Sequence, residues 1–193
     1  IEFFDGENGT YIYSTFSQDQ IGKIEGVSYD KASNTLTLDN VKRDEKLITN
    51  VMGDDFKILL KGDNSLKSIV VWGDGYGGNL TITGDGKLTL NSEKTENMAI
   101  TIQAEYTEGK VKIEKNVQME MYAKEGYPII EIVGANNSDK DKAVVIDGKV
   151  TQNYEVEQHI TEVTNNVYVV AKDSTARCYF TKFEKNGKYY GGR

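Results

Sequence analysis

The sequence is poor in the side chains that build disulfides, metal clusters and phosphate sites. It contains one cysteine, Cys178, and one histidine, His159, among 193 residues. A single cysteine excludes an internal disulfide, and two such side chains are too few for a zinc site of His and Cys. Arginine occurs three times, so bidentate recognition of phosphate has few candidates. Cys178 lies in an alternating run and is predicted as a strand residue. A Cys178–His159 catalytic pair is the alternative, which their spacing does not support.

Proline and long apolar runs are equally scarce. Pro128 is the one proline against 19 glycines, which suits regularly stacked strands, since proline removes a hydrogen-bond donor from a sheet. No run approaches the ~18 apolar residues of a membrane-spanning helix, so no membrane insertion is expected. The net charge of −7 and the pI near 4.9 argue against nucleic-acid and anionic-membrane partners. The sequence begins at Ile1 and not at Met, so we expect a processed or trimmed chain, and the lack of a signal peptide carries no weight.

What the sequence does contain is a repeat of short alternating runs between residues 35 and 132. Apolar pairs open these runs at two equal steps and one longer last step: Leu36 and Leu38, Ile58 and Leu60, Leu80 and Ile82, Val111 and Ile113. A second series lies a little further downstream: Leu47, Ile69, Ile100 and Ile130. The longer step indicates one polar surface insertion at residues 91–99.

A period in the twenties with several short strands per period is typical of coiled β-architectures. We therefore predict an all-β fold, a single-stranded right-handed β-helix or β-solenoid of about four coils with irregular capping ends. A β-sandwich is the alternative, because a period of this length also holds two strands and two turns. The solenoid with its N-terminal cap is assigned to residues 1–142, and a C-terminal β cap of the same domain to residues 143–193. Within that cap, Gln152–Glu162 is predicted as a short helix.

The run Val27-Ser28-Tyr29-Asp30-Lys31-Ala32-Ser33-Asn34-Thr35-Leu36-Thr37-Leu38-Asp39-Asn40, with Leu80-Thr81-Ile82-Thr83-Gly84-Asp85-Gly86-Lys87-Leu88, resembles a family of surface or secreted proteins of anaerobic, often gut-dwelling Gram-positive bacteria. Such proteins are described as carbohydrate-binding-domain-containing or as uncharacterised repeat proteins. The resemblance covers about residues 27–133 and implies a β-solenoid outside the cell, secreted or on the cell surface, that binds glycan. The family offers no catalytic signature to transfer to this sequence.

Trp72, Asp74 and Tyr76 form the candidate ligand site. Trp72 is the one tryptophan, and it ends a strand beside a glycine-rich loop that carries the other two. The C–H face of a sugar stacks on an aromatic plane, while its hydroxyls need carboxylate or amide partners. The alternative is that these aromatics cover the core beneath a turn. Tyr122 and Tyr127, on either side of Gly126, are a second candidate.

Aspartates in Gly-Asp turns recur at roughly half-coil spacing, and they are the candidate metal ligands: Asp54, Asp63, Asp74 and Asp85. At coil spacing, Asp63 would stack on Asp85 and Asp54 on Asp74, about 4.8 Å apart. Calcium is the cofactor that such oxygen ligands would bind. Turn capping by the aspartate side chain is the simpler interpretation.

These observations predict a non-catalytic extracellular module, not an enzyme, that binds a glycan or surface polysaccharide. Two alternatives stay open. The first is a structural or adhesive surface protein that binds a host or bacterial surface protein. The second is a polysaccharide-cleaving enzyme on a β-helix, against which the scarcity of arginine and histidine counts.

Overall fold

The computed structural model describes residues 1–50, 55–73, 78–105, 107–151, 153–160, 165–172, 183–185 and 188–190. One turn of α-helix, α1, spans Lys140–Ala143, and a single 3-10 turn spans Gln18–Gln20. The strands in chain order are β1 (Glu2–Phe4), β2 (Gly9–Tyr11), β3 (Val27–Asp30), β4 (Thr35–Asp39), β5 (Lys46–Thr49), β6 (Phe56–Lys61), β7 (Asp63–Leu66), β8 (Ser68–Trp72), β9 (Gly78–Gly84), β10 (Lys87–Leu90), β11 (Ile100–Gln103), β12 (Gly109–Ile113), β13 (Gln118–Met121), β14 (Ile130–Val133), β15 (Val144–Ile146), β16 (Lys149–Val150), β17 (Tyr154–Ile160), β18 (Asn165–Ala171), β19 (Phe183–Lys185) and β20 (Lys188–Tyr190).

The protein is all-β, and its described strands form three large sheets, in which most neighbouring strands pair in parallel, and one two-stranded sheet, β19-β20. Sheet A has the order β17-β18-β14-β11-β8-β5-β1-β2, sheet B the order β15-β12-β9-β6-β4-β3, and sheet C the order β16-β13-β10-β7. From β6 to β16 the chain visits sheets B, C and A in turn, and we call one such passage a round. Strands from successive rounds pair in parallel. This pairing does not fit the β-sandwich alternative, because sandwich strands pair antiparallel.

Inward-facing apolar side chains of sheet A stack in columns between the rounds, and one column begins at Leu47. Leu47 pairs with Ile69, Ile69 with Ile100, and Ile100 with Ile130, and each of the four is fully buried. This column is the second predicted series, confirmed strand by strand. Alternation along each strand sends the intervening residues outward.

The first predicted series has one error of register, between β6 and β9. The repeat predicted that Leu80 stands opposite Ile58, whereas Leu80 pairs with Phe56 and Ile58 pairs with Ile82. The next step holds as predicted, since Leu80 pairs with Val111. A slip of two positions keeps every side chain on its own face of the sheet, so the apolar pattern is the same in either register. The alternation alone therefore did not detect the slip.

Antiparallel strands cover both ends of sheet A, which limits the exposed edges that invite pairing with other chains. The β1-β2 hairpin pairs with β5 at one end, and the β17-β18 hairpin pairs with β14 at the other. The short helix predicted at 152–162 is wrong, because β17 occupies Tyr154–Ile160 and pairs along its whole length with β18. Its β-branched residues suit a strand, and the tertiary pairing provides the partner.

Parallel pairing continues past residue 143, into the segment predicted as the C-terminal cap. Strand β15 continues sheet B beside β12, and β16 continues sheet C beside β13, so the parallel pairing extends to Val150. The segment between them and β14 contains α1, whose N-cap Asp139 accepts a hydrogen bond from the Asp141 amide. The division at residue 142 stays a prediction.

Replacing an inward residue of the column should destabilise the protein strongly. Ile100→Ala, between Ile69 and Ile130, is expected to lower the free energy of unfolding by about 2–5 kcal/mol, because it leaves a cavity in the core. Thr81→Ala, on the outer face of sheet B, should cost less than about 1 kcal/mol. Urea titration monitored by tryptophan fluorescence compares the two. Equal losses would contradict the stacked core.

Candidate functional site

Trp72 is the last residue of β8 and points away from the core. Its neighbour Val71 is buried, whereas 38% of Trp72 is exposed. Phe16 and Ile21 are the other large apolar residues with exposed surface in the described part of the chain, and both lie outside the parallel strands. Trp72 is therefore an exposed aromatic on a rigid strand. The predicted partners Asp74 and Tyr76 lie outside the described residues.

The residue that the structure places beside Trp72 is Gln103, which the sequence analysis did not single out. Gln103 on β11 is the Cα partner of Trp72, and its carbonyl accepts a hydrogen bond of 2.6 Å from the Gly73 amide. Both side chains belong to the outer face of sheet A. An aromatic ring and a carboxamide on adjacent strands supply one stacking surface and one set of hydrogen-bonding groups.

The connections from sheet A to sheet B begin next to Trp72, and close packing fixes where they end. Gly78 and Gly109 open β9 and β12. A Cβ atom added at Gly78 would lie 2.6 Å from Ile102 Cγ2, and one at Gly109 would lie 2.7 Å from Ile132 Cγ2. Any larger residue would push the strand away from the core at these points. Sheet packing thus anchors the connection that follows Gln103.

Buried amide groups also hold these connections in place. The Asn137 side chain accepts a hydrogen bond from the Gly109 amide (3.3 Å) and donates one to the Gly109 carbonyl (2.9 Å). In the preceding turn, the Thr107 amide donates to the Ala104 carbonyl at 3.0 Å, and the Asn136 amide donates to the Thr107 carbonyl at 2.6 Å. These hydrogen bonds satisfy the backbone groups of the described residues on either side of this turn.

Glu131 lies further along the outer face of sheet A. In register it stands between Thr101 on β11 and Tyr168 on β18, both of which are buried. Burial raises the pKa of the Glu131 carboxyl to about 7, because removal from water disfavours the charged form. The carboxyl is therefore partly protonated at neutral pH, and in that form it can donate a hydrogen bond.

The single histidine of the sequence lies on β17, which β18 separates from the strand of Glu131. The His159 ring meets the Tyr168 ring edge-on with centroids 5.7 Å apart, and His159 Nε2 is 3.4 Å from Glu157 Oε2. Glu157 is the Cα partner of Tyr168. Cys178, the other member of the alternative catalytic pair, lies outside the described residues.

Asp63 and Asp85 do not stack, so this prediction is wrong. Asp63 pairs in register with Lys87, the first residue of β10, and not with Asp85. Its carboxylate binds Lys42 Nζ at 2.8 Å, and the hydrogen bond from Lys42 lowers the pKa of Asp63. Asp85 lies in the turn between β9 and β10, before Lys87. The same slip of register that shifts Leu80 therefore separates the two aspartates.

Asp85 faces an open cleft of about 510 Å³ that also exposes Glu114 and Asp147. Glu114 is engaged there, since it accepts hydrogen bonds from Thr83 Oγ1 (2.6 Å) and Lys112 Nζ (3.3 Å), which lower its pKa. Within the described ranges, no three His, Cys, Asp or Glu side chains lie close enough to hold a metal. Asp54 and Asp74, the other predicted calcium ligands, fall outside those ranges.

Tyr122 and Tyr127 belong to a different connection, between β13 of sheet C and β14 of sheet A. The Tyr122 ring lies 5.9 Å from Lys94 Nζ, and the side-chain amide of Asn91 donates a hydrogen bond to the Tyr122 carbonyl at 3.1 Å. An ion pair of 2.6 Å between Lys124 and Glu96 joins the same two loops. These contacts tie the predicted insertion at 91–99 to its neighbour, and they do not bring either tyrosine to the Trp72 site.

Comparison of the chain with protein-family models, with characterised proteins and with solved structures gives no significant match. Among the residues described, no helix has the length and apolarity needed to cross a membrane. Gln103 and Glu131 are the residues that sequence reasoning missed. The spacing that sets Ile69 opposite Ile100 also sets Trp72 opposite Gln103, so it could have identified Gln103.

Stability should fall as the pH rises through the titration of Glu131. Its pKa is raised from 4.5 to about 7 on folding, so the folded state binds more protons than the unfolded state between these values. The loss on full deprotonation is on the order of 3 kcal/mol, and Glu131→Gln should abolish that pH dependence. Urea midpoints of both proteins, measured from pH 4.5 to 8, test this.

The exposed Glu125→Gln is the matched control, and it should keep the wild-type pH profile. If Glu131→Gln and the wild type give parallel profiles, the assignment of the raised pKa to Glu131 is wrong.

Proposed function

We propose that the chain is a right-handed β-solenoid whose coils are the rounds through sheets B, C and A. The support is the parallel pairing of each round with the next, together with antiparallel strands at both ends of sheet A. Stacked rounds bury a continuous core that no single round can bury alone. Binding sites on such folds lie on the outer faces of the sheets and on the connections between them.

We further propose that this solenoid binds carbohydrate without catalysing a reaction, and that it does so at Trp72. The observation that carries the proposal is an exposed indole at the end of an otherwise regular strand, with Gln103 on the adjacent strand. The indole face stacks on the C–H face of a sugar ring, and the carboxamide exchanges hydrogen bonds with its hydroxyls. Both groups stand on paired strands, so binding orders little of the backbone.

The proposed partner is a glycan or surface polysaccharide, and the proposed location is secreted or cell-surface. A net charge of −7 opposes binding to nucleic acid, which requires a basic face. The proposal requires no cofactor, because the indole and the carboxamide bind through stacking and hydrogen bonds alone. Whether calcium changes glycan binding is then a question that a measurement with and without a chelator answers.

Trp72→Ala should remove glycan binding and leave folding nearly intact. Truncating a core tryptophan costs about 3–5 kcal/mol, and a side chain as exposed as Trp72 should cost well under half of that. A glycan-array screen of both proteins, with calcium and with a chelator, measures binding, and thermal unfolding measures stability. Trp72→Phe keeps a stacking surface and should retain part of the signal.

Phe16→Ala, which removes an exposed aromatic far from β8 in sequence, is the matched control and should bind as the wild type does. If the wild type gives no binding signal on the array, carbohydrate binding is rejected for those ligands. Binding that Trp72→Ala preserves would place the site elsewhere.

One observation favours the second candidate function, binding to a surface protein. Phe16 is 96% exposed, and its loop is held by the Ser14 hydroxyl, which accepts hydrogen bonds from the amides of Phe16 (3.1 Å) and Ser17 (2.9 Å). An exposed aromatic ring on a hydrogen-bonded turn is a side chain of the type that fills a pocket on a partner.

Phe16→Ser should leave the unfolding free energy within about 0.5 kcal/mol of the wild type, because no packing is lost. Flow cytometry on intact bacterial and host cells then separates the two functions. Binding that is lost in Phe16→Ser and on protease-treated cells supports the protein partner. Binding that is unchanged by both but lost in Trp72→Ala contradicts it.

A further inference from the structure

The strand beside Trp72 repeats the pattern of β8 with an acid at the corresponding place. In sequence, Trp72-Gly73-Asp74 corresponds to Gln103-Ala104-Glu105, and Trp72 pairs with Gln103 where each strand ends. Glu105 therefore follows closely after the carboxamide of the site. Its side chain is exposed and forms no hydrogen bond or ion pair with the described residues.

The backbone of Glu105 is held in the left-handed region, at φ +43°. Residues other than glycine seldom adopt this conformation, and those that do are mainly Asn, Asp and His. Backbone hydrogen bonds on both sides hold this conformation. The Ala104 amide donates to the Val133 carbonyl at 2.9 Å, and the Thr107 amide donates to the Ala104 carbonyl at 3.0 Å. The backbone position from which the Glu105 side chain leaves the strand end is thus set by the fold.

Glu105 also differs from the other acid of this connection. Glu108 is 2.5 Å from Lys110 Nζ, and the hydrogen bond from Lys110 lowers the pKa of the Glu108 carboxyl. Glu105 has no such partner among the described residues. The exposed charge nearest in sequence to Gln103 on the described part of this connection is therefore negative.

We propose that Glu105 makes the Trp72 site selective for uncharged glycans over glycans that carry carboxylate or sulfate groups. This inference depends on the proposed carbohydrate-binding function. The Glu105 carboxylate accepts hydrogen bonds from the hydroxyls of a neutral sugar, which an amide oxygen does less strongly. The same charge repels an anionic sugar ring that stacks on Trp72.

The size of the discrimination follows from the distance and the solvent. Two unit charges about 5 Å apart in water repel by an amount that changes affinity about fourfold, and salt at about 0.5 M screens most of it. In roughly 20 mM salt, neutral glycans should therefore bind at least about fourfold more tightly than their uronate or sulfated counterparts. The ratio should approach one at high salt.

The test is an array that carries each oligosaccharide backbone in neutral, uronate and sulfated form, probed at both salt concentrations. The variants are Glu105→Gln, Trp72→Ala and the control Glu125→Gln, an exposed acid on another connection. Glu105→Gln is expected to gain about fourfold on the anionic members at low salt and to lose a little on the neutral ones. Glu125→Gln should keep the wild-type ratio.

The outcomes separate this inference from the function on which it rests. Binding that requires Trp72 but treats neutral and anionic members alike overturns the role of Glu105 and leaves the carbohydrate site standing. An unchanged neutral-to-anionic ratio in Glu105→Gln overturns it as well. Silence on every member, or binding independent of Trp72, rejects both proposals together.

Discussion

Stacking of inward-facing aliphatic side chains between successive rounds is the interaction on which the rest of the structure depends. Strands this short cannot bury an apolar face alone, and each becomes stable only when the next round covers its edge and its core side. In sheet A the column from Leu47 to Ile130 is continuous and fully buried. Parallel backbone hydrogen bonds align these side chains, so the column and the sheet require each other.

Most of the stabilising contacts are made by the strands, so the connections between them can vary in length without disturbing the core. The connection from β10 to β11 holds the 91–99 insertion, while sheets B and C meet at short turns such as the one at Asp85. The insertion is ordered from within by Asn91, which is buried and whose side chain donates to the carbonyls of Thr95, Asn97 and Tyr122. Polar interactions thus shape the loops, and apolar stacking holds the frame.

The outer face of sheet A changes in character along its length. Near Trp72 it presents an exposed ring and an amide, and towards β18 it holds the desolvated Glu131 beside buried Tyr168. The same strand alternation produces both regions, since every second residue of these strands must point outward. Their different chemistry arises from how much surrounding structure covers each row. The proposed function uses the exposed region.

Sequence alone determined the all-β class, the column of sheet A and the inward or outward direction of most strand residues, because alternation and spacing are local properties. Tertiary structure decided the register between β6 and β9, since a slip of two leaves the pattern unchanged, and with it the separation of Asp63 from Asp85. It also made β17 a strand by giving it β18 as partner. Such contacts depend on which residues stand opposite one another on neighbouring strands, and no local pattern of this sequence records that.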